Sequence, residues 1–352
     1  MDVVVLAIAF VVILIGAELF TNGIEWFGRR LNLAQGAVGS VLAAVGTALP
    51  ETMIPLIAIG FGGGGAADDV GIGAILGAPF MLSTLAMFVT GVGVLYWRRR
   101  RATGTRMVVD TVVLVHDIRT FVVAYTLAIA TAFLPPEMGF LRIVVALILV
   151  GIYAWYVKGH FDAEADDQDD ELEPLRFRRV DRQGHRSDPR VPRLRVVGLQ
   201  VLFALACIVG GAYLFVGAVE RVASALGVSE LLLALVVAPI ATELPEKFNS
   251  LIWVRQGKDT LAMGNITGAM VFQSAIPTVI ALVLAGSSWH VNGDSMIAFL
   301  SAAMAFVAVA AVFGPMWSRA RLDGRSLLVG GLVYLVYLGI VVLAIAGLLP
   351  IG

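Results

Sequence analysis

The chain has 352 residues, 59% of them hydrophobic and only 14% charged. A soluble domain carries about a quarter charged residues, so this composition excludes an ordinary water-soluble protein and describes a polytopic membrane protein. The net charge of −1 identifies no partner, because the charges are segregated along the chain, and the single cysteine, Cys207, excludes an intrachain disulfide or a multi-cysteine metal site.

The opening "MDVVVLAIAFVVILIGAELF" lacks a basic leader and reads as a first span rather than a cleaved signal. Apolar runs long enough to cross a hydrocarbon core about 30 Å thick then recur. They give ten expected spans at 2–24, 33–61, 69–96, 112–133, 139–157, 196–220, 229–254, 261–285, 296–316 and 326–349. Placing both termini outside puts every Lys and Arg except Arg142, Arg221 and Lys247 on the cytoplasmic side, a strong positive-inside bias. A multi-pass protein of the plasma (inner) membrane with both termini extracytoplasmic is therefore expected.

Within the second span, "VGTALPET" (45–52) holds Glu51, the only charge between Leu31 and Ala67, directly after Pro50. The proline predicts a helix break there, with freed carbonyls beside the acid. Further along, "RRRR" at 98 reads as a topology anchor rather than a nucleic-acid patch. His116, Asp117 and His290 fall at predicted span ends or loops, where a solvated role is the default. The stretch 158–195 opens acidic ("FDAEADDQDDELEP") and continues basic, without the glycine that a calcium-binding EF-hand loop requires, and reads as a solvated, largely disordered linker.

Sliding the sequence by 195 residues lays "GAELFTNGIEWFGRRLNLAQGAVGSVLAAVGTALPE" (16–51) over "GAYLFVGAVERVASALGVSELLLALVVAPIATELPE" (211–246), with roughly one position in three identical. A second block, "GAILGAPFMLST" (73–84) over "GNITGAMVFQSA" (264–275), follows at nearly the same offset. The expected organisation is a first five-helix repeat (1–157, motif 39–84), a charged cytoplasmic loop (158–195) and a second repeat (196–352, motif 234–275). Five spans per copy invert the second relative to the first. Transporters built so bind substrate near the midplane, where broken helices of the two halves meet.

A charge at the centre of a span costs about 2.5–3.5 kcal/mol on insertion scales. Glu51 and Glu246 incur it at equivalent positions, each after a proline and each preceded by a threonine, Thr47 and Thr242. Acids, hydroxyls and freed carbonyls form the oxygen-rich cluster that hard cations require. Asn265 and Thr267 either add ligands or cap and pack. Ser83 and Ser274 either lend oxygens or bond back to their own helices, the commoner use of a buried serine. The pairs Gly73–Gly77 and Gly264–Gly268 read as close helix packing.

"GTALPE" and "ATELPE", each followed by a "G…GA" helix, resemble the two alpha repeats of the sodium/calcium exchanger (cation/calcium antiporter) superfamily, and the layout matches over essentially the whole chain. The resemblance implies an all-α fold of ten transmembrane helices in two inverted five-helix repeats, exchange of calcium for sodium, potassium or protons, and cation-binding roles for Glu51, Glu246, Thr47 and Thr242. The departures carry information too. Ala48, Glu243, Ala78 and Ala269 stand where the family has serine, and Leu82 and Gln273 stand where it has Asn or Asp. The resemblance then implies that the third acid has moved from the later helix to Glu243. Lys247 either neutralises Glu243 one turn away or snorkels.

Fewer oxygens favour fewer ions, and a buried glutamate that titrates is a natural proton carrier. The expected function is secondary active exchange of calcium, or another cation, for sodium or protons by alternating access. A sodium/proton antiporter and a non-transporting scaffold of the same fold are the alternatives. No enzyme motif is present, no resident cofactor is expected, and the partners are inorganic cations and the bilayer, with a monomer sufficient.

Overall fold

The computed structural model describes residues 2–30, 43–163, 173–179, 192–293, 295–319, 321–346 and 348. The chain is helical almost throughout. In order come α1 (Asp2–Arg30), α2 (Ala43–Phe61), α3 (Ala66–Met81), a π-helical turn (Leu82–Ala86) and α4 (Met87–Trp97). Then follow α5 (Thr111–Ala130), α6 (Gly139–Ala163), α7 (Leu194–Leu226), α8 (Glu230–Gln256), α9 (Asp259–Leu284), α10 (Met296–Arg319) and α11 (Gly324–Ile345). Among the described residues, eight helices are long and apolar enough to cross a membrane, the joined α3–α4 counting as one. Among the described residues, α2 and α8 contribute the shorter apolar stretches Glu51–Phe61 and Glu230–Ile240.

The expected span 69–96 is thus one continuous helix with a wide turn inside it. Pro79 cannot donate a backbone hydrogen bond, and the π turn begins three residues later, a common site for the ladder to reset. The reverse holds at Pro50 and Pro245, where breaks were expected and helix runs through. Each proline removes one hydrogen bond, leaving the carbonyl of Gly46 or Ala241 without its helical donor, but the turns on either side keep theirs. Residues 33–42 of the second expected span lie outside the described residues.

The α3–α4 helix is the most enclosed of the spans, and α1 and α6 are the least. α3 packs along α8 through Gly73 and Gly77, where an added Cβ would run into the carbonyl oxygens of Leu231 and Leu235. That close approach was expected from the glycine spacing. It does not recur at Gly264, where a Cβ would meet nothing among the described residues within 4 Å. α1 packs along α7 through reciprocal glycines: Gly16 lies against Ala204 and Ile208, and Gly211 against Ala9 and Ile13.

The arginine run read as a topology anchor and part of the linker expected to be solvated are both built into the fold. Arg101, last of the arginine run, is buried and grips Asp259 at the start of α9 with two hydrogen bonds, of 2.8 and 2.7 Å. It also donates to the carbonyl of Val254 in α8, while Val108 N–H donates to Asp259 at 2.8 Å. A two-residue ladder, β1 (Arg106–Met107) antiparallel to β2 (Leu322–Asp323), ties the same loop to the α10–α11 connection. Within the long linker, residues 173–179 dock on α1 and α7. Leu175 is buried beside Trp26 and Val197, Trp26 Nε1 donates to Glu173 O at 2.8 Å, and Gln200 accepts from Phe177 N at 2.9 Å. Backbone groups that find side-chain partners on two helices have no need of water.

Candidate cation site

Glu51 is the first polar side chain after Pro50 on α2 and is 6% exposed. It lines a narrow cavity of about 200 Å³, open mouth included, with Ile54 of the same helix, Ala74 and Ala78 of α3, and Ala238, Pro239 and Thr242 of α8. The close contact of α3 with α8 at Gly73 and Gly77 forms one wall. α3 presents only the methyl groups of Ala74 and Ala78 to the cavity. Among the described residues its side-chain oxygens come from Glu51 and Thr242, which approach from different helices. Thr242 also bonds back to the Ala238 carbonyl at 3.2 Å.

One residue beyond Thr242, Glu243 is 1% exposed and accepts a 2.6 Å hydrogen bond from Nε2 of Gln273, itself buried on α9. The acid on α8 and the amide on α9 are thus direct partners. A hydrogen bond to an ionised group is stronger than one between neutral groups, which is what a carboxylate held away from water requires. Asn265 lies two turns earlier on α9 and donates to Ser250 at 3.0 Å. Thr267 turns toward a different acid, Asp117 of α5, at 2.6 Å. Ser83 and Ser274 bond back to Phe80 and Val271 within their own helices, at 3.0 and 2.9 Å.

Of the expected site residues, the structure brings Glu51 and Thr242 to one cavity and pairs Glu243 with Gln273. Thr47 lies on α2, and Glu246 and Lys247 on α8, but their side chains lie outside the described residues. Asp117 corrects the sequence reading: it is 1% exposed inside the helix bundle rather than solvated at a span end. The signal available was a lone carboxylate within a span-length apolar helix, the same signal that marked Glu51. His290 lies in a loop, beside Asn292, as expected.

A family model described as sodium/calcium exchanger protein matches residues 1–159 and 197–346. CaxA of Alkalimonas amylolytica, named for an inferred antiport activity, is 24% identical over 331 residues, covering 93% of this chain and 95% of its own. The membrane protein MJ0091 of Methanocaldococcus jannaschii is 22% identical, covering 73% of each chain. Among solved structures, the H+/Ca2+ exchanger CAX superposes with a TM-score of 0.71 at 18% identity, covering 99% of this chain and 87% of its own. The sodium-calcium exchanger NCX_Mj gives 0.52 at 15%, covering 96% and 97%. With the family model matched over both halves of the sequence, the chain belongs to the sodium/calcium exchanger family.

Proposed function

We propose that the protein is a secondary active cation antiporter that takes calcium or another hard cation at Glu51 and returns sodium or protons in exchange. The observation that carries this reading is Glu51 itself, a buried carboxylate opening on a cavity between α2, α3 and α8 in a member of an exchanger family. Thr242 adds a hydroxyl, and Glu246, with Thr47, is assigned to the same cluster by its place in the repeat. Glu243 and Gln273 complete the charge balance beside it, and Asn265 and Lys247 are its outer members.

Ten crossings in two inverted halves, 1–157 and 196–352, suit the contacts. Ala204 and Ile208, which meet Gly16, are the offset-195 counterparts of Ala9 and Ile13, which meet Gly211. Such reciprocity is what a pseudo-two-fold axis between α1 and α7 produces. The α3–α8 and α2–α9 contacts form a second reciprocal set. Helices related in this way support alternating access around a central site. The segregated basic residues favour extracytoplasmic termini in a plasma membrane.

One observation favours a sodium/proton antiporter as the second reading. Among the described residues the cavity offers three side-chain oxygens, two of Glu51 and one of Thr242, among apolar groups, whereas calcium takes about 6–8 oxygen ligands. Calcium-45 uptake into proteoliposomes, driven by an outward sodium or an outward proton gradient, separates the readings. Uptake under either gradient that is lost in Glu51→Gln supports calcium exchange. Sodium-22 uptake under the proton gradient alone supports the second reading, and uptake unchanged in Glu51→Gln rules out this site.

A further inference from the structure

α2 and α8 occupy equivalent places in the repeat, yet they are fastened to their neighbours differently. α8 is riveted to α9 at two levels. At their corner Arg101 reaches across: it donates to the carbonyl of Val254, before Gly257, and to Asp259, after it, the latter at 2.8 and 2.7 Å. Further in, Ser250 of α8 donates to the carbonyl of Ala262 at 3.1 Å and accepts from Asn265 of α9 at 3.0 Å. Arg101, Asp259 and Ser250 are all buried.

Among the described residues neither rivet is repeated at α2. Continuing the alignment of 16–51 with 211–246 puts Pro55 where α8 has Ser250, and the alignment of 73–84 with 264–275 puts Ala74 where α9 has Asn265. Asp68 stands where α9 has Asp259, but it accepts from Ser288 at 3.0 Å, a tie between α3 and the α9–α10 connection that leaves out α2. Asp69, engaged as well, also lies on the α3 side of the corner. Residues 53–61 ("MIPLIAIGF") hold no side chain that donates a hydrogen bond. This end of α2 meets α3 through apolar contact, with Ile54, Ile57 and Ala58 in one cluster with Ala67, Val70 and Ala74.

Two further features loosen α2. Pro50 and Pro55 each withhold a backbone donor from its ladder, and the chain turns into α3 through four glycines, 62–65. Gly63, Gly64 and Gly65 hold φ of 85, 88 and 60°, with no described atom within 4 Å of where a Cβ would stand. Glycine crosses between backbone regions that other residues enter at a cost, which is what a hinge needs. The energetics follow. Lifting α8 from α9 strands a buried charge at Arg101 or Asp259 and the polar groups of Ser250 and Asn265. Lifting the end of α2 from α3 exchanges apolar contact with protein for apolar contact with lipid tails, which oppose it far less. Glu51 and Thr52 make contacts of their own about three turns back from the corner, at the level of the cavity, where a transported cation exchanges with them.

We propose that α2 is the gate helix: it swings on residues 62–65 and carries Glu51 with it, while α8 stays fixed to α9 and presents Thr242 and Glu243 from an immobile wall. The two helices are equivalent in the repeat and unequal in motion. As a step of alternating access this rests on the antiport reading; the unequal fastening rests on the geometry alone.

The test is pulsed electron spin resonance, which measures distances between spin labels, on the full-length protein in lipid nanodiscs. Cys207, the only native cysteine, is replaced by Cys207→Ser, or by Cys207→Ala if the serine variant does not fold. α6 supplies the reference, since Arg142 holds it to the carbonyls of Leu134 and Gly286. One label pair is Phe61→Cys with Phe140→Cys, the other Gln256→Cys with Lys158→Cys, all at exposed positions. Samples are compared in calcium, in sodium and in chelator alone. The expected result is a second distance for the α2 pair, displaced by more than about 2 Å, the scale of a hinge closure, and one unchanged distance for the α8 pair. Equal spread in both pairs, spread in the α8 pair alone, or a single distance in both overturns the proposal. Ion exchange is assayed in proteoliposomes of the same labelled proteins. Exchange with equal behaviour of the two pairs overturns the hinge and leaves antiport standing; two distances at α2 without exchange do the reverse.

Discussion

Removing Asp259 tests whether the buried ion pair at the α8–α9 junction holds that end of the bundle together. Both side chains are 1% exposed, and the carboxylate takes two hydrogen bonds from Arg101, of 2.8 and 2.7 Å, and one from Val108 N–H. Deleting one partner of a buried pair costs about 3–5 kcal/mol because the other charge stays behind. The orphaned Val108 amide adds about 1 kcal/mol or more. Against this, Arg101 keeps the carbonyls of Val254, Gly104 and Arg106, which places Asp259→Ala near the low end, at about 3 kcal/mol. That is about two powers of ten in the unfolding constant. The assay is denaturant unfolding in detergent followed by tryptophan fluorescence, closed into a cycle with Arg101→Met and the double variant. The double variant is expected to recover much of the loss, since no buried charge then remains. A loss under about 1 kcal/mol in Asp259→Ala, or strict additivity in the cycle, refutes the reasoning.

Gly77→Ala drives a methyl into the Leu235 carbonyl and Pro239 and should cost about 1–3 kcal/mol, read as a lowered melting temperature, while Gly264→Ala, whose Cβ meets none of the described residues within 4 Å, leaves it unchanged. Gln273→Leu strips Glu243 of its 2.6 Å donor and should weaken apparent cation affinity in uptake assays about tenfold or more, the value of a hydrogen bond to a charged group. Leu175→Ser combined with Trp26→Phe removes the buried leucine and the 2.8 Å hydrogen bond that dock residues 173–179. Limited proteolysis of that segment should then accelerate about tenfold or more, because cleavage follows local opening.

The spans were legible because the bilayer demands length and apolarity of each helix separately, and α1, α5, α7 and α10 advertise both in their own residues. Glu51 was legible for the same reason, as a charge where the solvent is hydrocarbon. What escaped depends on partners far along the chain. Asp117 sits in "VHDIRT", which reads as the polar edge of a span; Tyr156 and Thr267, 39 and 150 residues away, make it an interior group. Arg101 is chemically identical to the three arginines before it, and only Asp259, 158 residues on, selects it for burial. Pro50 and Pro245 misled in the other direction, since one lost hydrogen bond does not end a helix whose neighbouring turns keep theirs. Gly73 and Gly264 begin the same spacing, yet among the described residues only the first has a helix pressed against it. Pattern states what a residue permits, and packing decides what it does.

The most direct measurement is efflux of calcium-45 or sodium-22 from loaded proteoliposomes into media that differ only in the cation offered outside, with pH and membrane voltage clamped. Antiport predicts release only when calcium, sodium or protons are supplied on the far side to be carried back, and no release in Glu51→Gln. Steady release into a medium without exchangeable cation, driven by voltage alone, would contradict it and identify a channel.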